Sequence, residues 1–157
     1  MGLDATVFCD CFERGRLRTP PAPAWRVSVG ADGARTNGST TLADDMAFDA
    51  WNRAACPHDD GRLLHHRLGN IGQIAFVRAA LSEHPDRFPL VLRRVVYSGC
   101  HAGDFIGVRD LPQLAGEAQA LGSMRFESAT ANAVEDFRAK VAALVDAATR
   151  VRKPISF

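Results

Sequence analysis

The sequence predicts an α+β protein in which a small, mostly antiparallel sheet is packed with about four helices. Short segments of alternating or β-branched apolar residues, four segments with apolar residues at helical spacing, and the lack of any repeat or linker predict this class. A chain of 157 residues, 46% hydrophobic and 24% charged, has the size and composition of one globular domain. We therefore expect one layered domain over residues 1–157.

The strands are expected near the N-terminus and in the middle of the chain. Residues 4–12 alternate in parity and place Val7, Cys9 and Cys11 on one face, which predicts a strand. Residues 25–29 and 62–68 predict two further short strands, and the proline-rich residues 13–24 predict a loop. Residues 90–97, rich in valine and leucine, predict a buried strand.

The first two helices follow residues that can cap them. Thr40 or Thr41 can cap a helix that runs to about residue 55. Asn70 can cap a second helix over residues 71–83. The residues expected to form their apolar stripes are Leu42, Met46, Ala50 and Trp51 in the first helix, and Ile71, Ile74, Val77 and Leu81 in the second.

The last two helices lie in the C-terminal third. Asp110 and Gln113 have the spacing of a capping box, which predicts a helix over residues 111–121. The final helix is expected over about 130–152 and ends before Pro154. Its apolar seam is Val134, Phe137, Val141, Leu144, Ala148 and Val151. The tail after it, with Ile155 and Phe157, can add a short strand or pack as an apolar end.

Charge and apolar pattern exclude several classes of partner. The net charge of +1 argues against a nucleic-acid binder, which usually carries a basic excess. No apolar run approaches the length of a membrane span, and no hydrophobic leader opens the chain. We therefore expect a cytoplasmic protein with reduced thiols. Its cysteines are Cys9, Cys11, Cys56 and Cys100.

Cysteine and histidine are the usual protein ligands of zinc, so a zinc site is the first possibility to consider. Cys9-x-Cys11 and Cys56-x-His58 lack the paired CxxC or HxxxH spacing of common structural zinc sites. The simpler interpretation is that Cys9 and Cys56 are small buried residues and that His58 lies in a turn. On this basis the sequence predicts neither a metal nor another cofactor.

The glycine-rich residues 98–104 form the strongest candidate site by chemistry. They follow an apolar segment and display a hydroxyl, a thiol, an imidazole and a carboxylate, and loops on rigid scaffolds often carry function. No nucleophile elbow, phosphate loop or orienting third group accompanies them, so no catalytic residue is assigned. The candidate binding surface comprises Ser98, Cys100, His101, Asp104, His65, His66 and Asp59.

Residues 87–92 (RFPLVL), residues 97–105 (YSGCHAGDF) and the helix after Asp110 together resemble a known pattern. They are similar to the Imm70-like immunity proteins of bacterial polymorphic-toxin systems. Residues 53–58 and 65–72 also look like a block of uncharacterised bacterial proteins related to that group. The better resemblance covers about a quarter of the chain.

The resemblance implies a small cytosolic protein that neutralises a cognate protein toxin by binding it, with no cofactor and no catalytic residue. Two alternatives stay open. One is a small enzyme or metal-dependent small-molecule-binding protein that uses His65, His66, Cys100, His101 and Asp104. The other is a homodimer through the last helix, although its seam is more simply part of the core.

Overall fold

We describe the fold from a computed structural model, which covers residues 2–38, 41–126 and 128–157 and gives the backbone alone for residues 128 and 129. Thr40, one of the two proposed helix caps, lies outside the described residues. In chain order the elements are β1 (Gly2–Phe8), β2 (Ser28–Val29), β3 (Arg35–Thr36), α1 (Leu42–Ala54), β4 (Arg62–Asn70), α2 (Ile71–Ser82), β5 (Phe105–Ile106), α3 (Leu111–Gly122), α4 (Ser128–Val151) and β6 (Ile155–Ser156).

The main sheet is organised around β1, whose alternation buries one face. Leu3, Ala5 and Val7 have no exposed surface and face the core. β1 pairs antiparallel with β4 on one side and with β6 on the other, and β6 pairs with β5. The order is therefore β4-β1-β6-β5. The predicted α+β class with its small antiparallel sheet is confirmed.

Helices α2, α3 and α4 complete the main core. The predicted seam of α4 is buried from Val134 to Ala148, while Val151 is partly exposed. Asn70 caps α2 as expected, because its side chain accepts from the Gln73 amide at 2.9 Å and Gln73 bonds back to the Asn70 amide. Helices α2 and α4 lie against β1 and β4, which places the apolar core between the sheet and these helices.

Three predicted details of the helices are wrong. Thr41 caps α1, but most of the proposed apolar stripe of that helix is outside, since Leu42 is 76% and Met46 66% exposed and Ala50 is exposed too, while Trp51 is half-buried. The buried α1 residues are instead Phe48 and Asn52. Ile71 of α2 is also exposed. Helix α3 starts without the expected capping box, because the Asp110 side chain makes no capping hydrogen bond.

The predicted strand over residues 90–97 is also wrong, because this segment is helical. The Leu92 amide donates to the Phe88 carbonyl, and the Val96 amide reaches five residues back to Val91, which makes a π-helical turn over Val91–Val95. Val91 and Val95 are fully buried in this helical form. The β-branched residues of this segment favour an extended strand, but a tertiary contact stabilises the helical form instead.

That contact is the buried carboxylate of Glu117 on α3. Its oxygens accept from the Leu90 amide at 3.0 Å and the Val91 amide at 2.8 Å, and Gln113 donates to it at 2.9 Å. These amides are the unsatisfied donors at the start of a helical turn, where a negative charge also suits the helix dipole. The carboxylate is thus satisfied within the core and fixes the helical form of the segment.

Replacing Glu117 with glutamine tests this role. The amide removes the charge and one acceptor oxygen, so we expect a loss of about 1.5–3 kcal/mol in the free energy of unfolding, the range for hydrogen bonds to charged groups. Denaturant unfolding followed by circular dichroism measures it. The matched control is Glu135→Gln, an exposed carboxylate paired with Arg138, for which no measurable change is expected because solvent screens the pair. Equal effects of the two variants would contradict the assignment.

Residues 9–61, the front segment, stand apart from this core. They contain β2, β3 and α1, and none of their described residues belongs to the main core. The buried apolar residues described within the segment are Cys9, Cys11, Phe48, Ala55 and Cys56. Lys153, after α4, donates to the carboxylate of Glu13 and ties the segment to the rest of the chain.

Candidate metal centre

Two of the four cysteines leave β1 together. The strand ends at Phe8, and the Cys9 amide donates to the Gly61 carbonyl at 2.8 Å, which ties Cys9 to the turn before β4. The chain then turns back, because the Arg16 amide donates to the Cys11 carbonyl at 2.7 Å. Cys9 and Cys11 therefore lie just past the strand rather than within the predicted strand over residues 4–12.

Cys56 and His58 come from the end of α1. Pro57 cannot continue the helix, and the Arg18 amide closes on the Ala55 carbonyl at 2.7 Å. The chain returns to β4 through residues with positive φ, Asp60 at 54° and Gly61 at 68°. His58 thus lies in a turn, as the sequence predicts, and its ring points back to the cysteines.

The four side chains converge on one point. The Cys9 and Cys56 Sγ atoms are 3.7 Å apart, and His58 Nδ1 lies 3.5 Å from Cys11 Sγ and 3.9 Å from Cys56 Sγ. All four ligand atoms lie within 4.8 Å of one another. A tetrahedral zinc ion with bonds of about 2.3 Å to sulfur and 2.0–2.1 Å to nitrogen requires S–S edges of about 3.8 Å and S–N edges of about 3.6 Å.

The cluster is shielded from water. Cys9, Cys11 and Cys56 are 6%, 5% and 3% exposed, and Leu17 and Leu63 pack against them. Burial raises the pKa of Cys9 to about 12 and raises that of Cys11 as well. The buried state of Cys9 and Cys56 confirms that part of the prediction from sequence.

The pKa of Cys56 is shifted the opposite way. Burial alone would raise this pKa, but a backbone hydrogen bond at His58, the Cys9 thiol and the guanidinium of Arg35 outweigh burial and lower it. The Arg35 Nη2 donates to Cys56 Sγ at 3.7 Å. Burial thus raises the pKa of two thiols of the cluster, whereas the hydrogen bonds and the guanidinium around Cys56 lower the pKa of the third.

Sequence reasoning missed this convergence because the two half-sites are short and far apart. Each pair is separated by a single residue, and the cysteines that meet are 47 positions apart. The signal that could have found them is the repetition of the pattern, with Cys-x-Cys at the end of a strand and Cys-x-His just before the next long strand. Adjacent strands bring such ends together.

The candidate loop over residues 98–104 is largely engaged with itself. Ser98 Oγ bonds to the backbone of Cys100, and Tyr97 donates its hydroxyl to the Asp104 carboxylate. The His101 ring is 7% exposed, stacks on Tyr97 at 4.6 Å and donates from Nε2 to the Val95 carbonyl at 2.9 Å. Its Nδ1 lies 3.2 Å from Asp104. The Cys100 thiol is exposed.

The two histidines of β4 lie away from this loop. His65 is exposed and bonds to Thr6 Oγ1 at 2.9 Å, while His66, the next residue, is partly buried. In sheet register His65 faces Thr6, then Ser156, then Phe105, which directly follows Asp104. Three strand spacings of about 4.8 Å therefore separate His65 from Phe105. The enzyme alternative gains no convergent site from these residues.

Asp59, the remaining residue of the predicted surface, is exposed and directly follows His58. A cavity of about 390 Å³ lies elsewhere, between the end of α2 and the start of α4. It is lined by Phe76, Ala79, Ala80, Glu83, His84, Met124, Arg125, Phe126 and Thr130. None of the residues singled out from the sequence lines it.

The chain gives no match when compared with protein-family models, curated proteins and solved structures. Within the part of the chain that the structure describes, no helix combines the length and apolarity that crossing a bilayer requires. The function of this protein is therefore inferred from the residues of the site itself.

The contact between Tyr97 and Asp104 can be tested directly, because Tyr97 is the single tyrosine of the chain. Its hydrogen bond to Asp104, followed by burial, raises the pKa of Tyr97. The neutral hydroxyl thus stabilises the fold below the ordinary tyrosine pKa, and this contribution is lost as the pH rises through the folded value. We expect Asp104→Asn to lower the pKa in a titration of tyrosinate absorbance, and Asp86→Asn to leave it unchanged. A wild-type value in Asp104→Asn would contradict the contact.

Proposed function

We propose that this protein binds one zinc ion through Cys9, Cys11, Cys56 and His58, and that the ion holds the front segment in its folded form. The observation that carries the proposal is the convergence of four ligand atoms within 4.8 Å of one another, with three of their six distances, 3.5, 3.7 and 3.9 Å, close to the edges of a tetrahedral zinc site. These distances join side chains from two separate turns. The backbone hydrogen bonds of both turns hold them in place.

The ligand set favours zinc and a structural role. Three thiolates and one imidazole form the Cys₃His set of closed structural zinc sites, whereas catalytic sites keep a position open for water or substrate. Soft sulfur ligands with one imidazole disfavour magnesium and calcium, which prefer oxygen. With four protein ligands on one ion, the centre supplies folding free energy rather than a reaction.

The composition of the front segment explains why it would need a bound ion to fold. Its described buried apolar residues are few, and three of them are the ligand cysteines. Small units with too little apolar core to offset chain entropy are commonly completed by a metal or by disulfides. A structural zinc ion contributes on the order of 10–16 kcal/mol in small peptides, which can replace a missing core.

Zinc binding and thiol exposure test the proposal together. We expect one zinc per chain, and we expect Cys56→Ser to weaken binding by more than about 100-fold, the upper end for loss of a mere outer partner. Cys100→Ser is the matched control, since that thiol is exposed and away from the cluster, and it should bind as the wild type does. In the zinc-loaded protein one thiol should react rapidly with a thiol reagent, and after chelation all four should react.

Hydrogen exchange locates the effect. Chelation should raise exchange across residues 9–61 and leave the amides of α2 and α4 protected, because the main core includes none of the described front-segment residues. The proposal is wrong if zinc stays far below one equivalent per chain and chelation changes neither thiol reactivity nor exchange.

A second proposal concerns what the organised segment does, and it is the toxin binding that the sequence resemblance implies. One observation favours protein binding: α1 exposes Leu42 and Met46, one turn apart, on a helix that buries Phe48 and Asn52 behind them. Large apolar side chains exposed side by side are typical of contact surfaces. On this proposal zinc holds the segment that presents the contact, and the protein is not an enzyme.

The partner to test is a toxin domain encoded by a neighbouring gene, and the lack of such a gene would count against this second proposal. We expect the wild-type chain to bind it and the double variant Leu42→Asp, Met46→Asp to lose at least about 30-fold in affinity, as for residues at the centre of an interface. The control is Phe76→Asp, an exposed apolar residue of α2 in a different part of the chain. Isothermal titration measures all three. This second proposal is wrong if the double variant binds with the affinity of the wild type, or if the wild type does not bind.

A further inference from the structure

Arg35 of β3 is directed at the Cys–His cluster in an unusual way. Its Nη2 donates to Cys56 Sγ at 3.7 Å, and its guanidinium lies 5.6 Å from the centre of the Trp51 ring. Its Nη1 is buried without a hydrogen-bond partner. Among the described residues it forms no ion pair with a carboxylate, so its charge is not neutralised by an acidic side chain.

Three other arginines of the turns that carry the ligands are paired with carboxylates. Arg14 and Arg16 contact the Asp10 carboxylate at 2.5 and 2.6 Å, and Arg62 contacts Asp60 at 2.9 Å. A guanidinium stays charged at every pH that proteins tolerate, so a buried one requires a negative group nearby. Neutral thiols do not provide that charge.

The backbone is shaped to admit this guanidinium. A Cβ atom at Gly61 would lie 2.1 Å from Arg35 Nη2, so a side chain there would displace the arginine. Gly61 adopts φ of 68°, in the region where glycine carries no steric penalty. The same glycine accepts the Cys9 amide through its carbonyl, so one residue both positions a ligand and leaves room for the cation.

We infer that Arg35 is the charge-compensating, positioning residue of the metal centre, and this inference rests on the proposed zinc site. Three thiolates, a neutral imidazole and Zn²⁺ carry a net charge of −1, which the guanidinium neutralises. Its N–H groups donate to thiolate sulfur, which orients Cys56 towards the ion and withdraws electron density from it. Such outer partners of metal ligands commonly change affinity by about 10–100-fold.

Arg35 has its full electrostatic effect only when the metal is bound. In the metal-free protein the half-buried guanidinium faces thiols, and its Nη1 lacks a hydrogen-bond partner. In the zinc-loaded protein it faces an anionic centre. Removal of the charge should therefore weaken metal binding without weakening the metal-free fold, which a residue that merely packs would not do.

The experiment uses the full-length chain in three forms: Arg35→Met, Arg35→Lys and the control Arg53→Met. Arg53 is an exposed arginine in the last turn of α1. We expect Arg35→Met to raise the Kd for zinc by about 10–100-fold in competition with a chromophoric chelator. Arg35→Lys should recover part of the loss, because it restores the charge without the planar fork. Arg53→Met should bind within about twofold of the wild type, since an exposed charge is screened.

The absorption spectrum of the cobalt(II)-substituted protein provides a measurement that a change in side-chain packing alone would not alter. A sulfur that loses an N–H donor becomes more electron-rich, so the thiolate-to-cobalt charge-transfer band of Arg35→Met should shift to lower energy while the d–d bands remain those of a tetrahedral ion. Denaturant unfolding of the metal-free protein should be unchanged or shifted to higher denaturant in this variant.

The possible outcomes distinguish failure of the proposed zinc site from failure of the role assigned to Arg35. If the wild type binds no zinc, the proposed function fails and the role of Arg35 fails with it. If the wild type binds zinc but Arg35→Met has the same Kd and the same cobalt spectrum, the metal site stands and Arg35 is not part of it. A variant that loses stability equally with and without metal has only a packing role, and that result also overturns the inference.

Discussion

The contact on which the front of this molecule depends is the convergence of Cys9, Cys11, Cys56 and His58. Two turns that are remote in sequence meet there, and their backbones are already joined through the Cys9 amide and the Gly61 carbonyl. The intervening residues carry a short hairpin, a helix and long loops, and their apolar packing is a small aromatic cluster of Trp25, Phe48 and Trp51 in which both tryptophans stay half-exposed. A bound ion would give this region the cross-link that hydrophobic packing gives elsewhere.

The rest of the chain follows a different rule. Its core is apolar and continuous, from β1 through α2 to the seam of α4, and it needs no metal to explain it. Glu117, a charged residue buried in this core, is engaged with the amides of a helical turn. Lys153 and Glu13 join the two regions by an ion pair. The molecule thus combines a region held together by a hydrophobic core with a region held together by hydrogen bonds and by the convergence of cysteine and histidine side chains.

Local patterns predicted the regular parts of the fold well and the exceptions poorly. The seam of α4 and the cap at Asn70 are decided by residues close in sequence, so periodicity found them. The segment around Val91 was misassigned because its conformation is set by Glu117, a residue 26 positions away. The Cys–His cluster was missed for the same reason, since neither half carries a zinc spacing alone. The predicted loop around His101 is real, but its polar groups bond mainly to one another.

The order of strands in the main sheet has a consequence for how the chain is made. β1 and β6 are neighbours in the centre of the sheet, although the residues they pair, such as Thr6 and Ser156, are about 150 positions apart. β5 pairs with β6, so half of the sheet forms only after β6 has been synthesised. Until then β1 can pair with β4 only, and its other edge stays open to incorrect partners. Synthesis therefore exposes β1 to misassembly during the interval in which β6 is still missing.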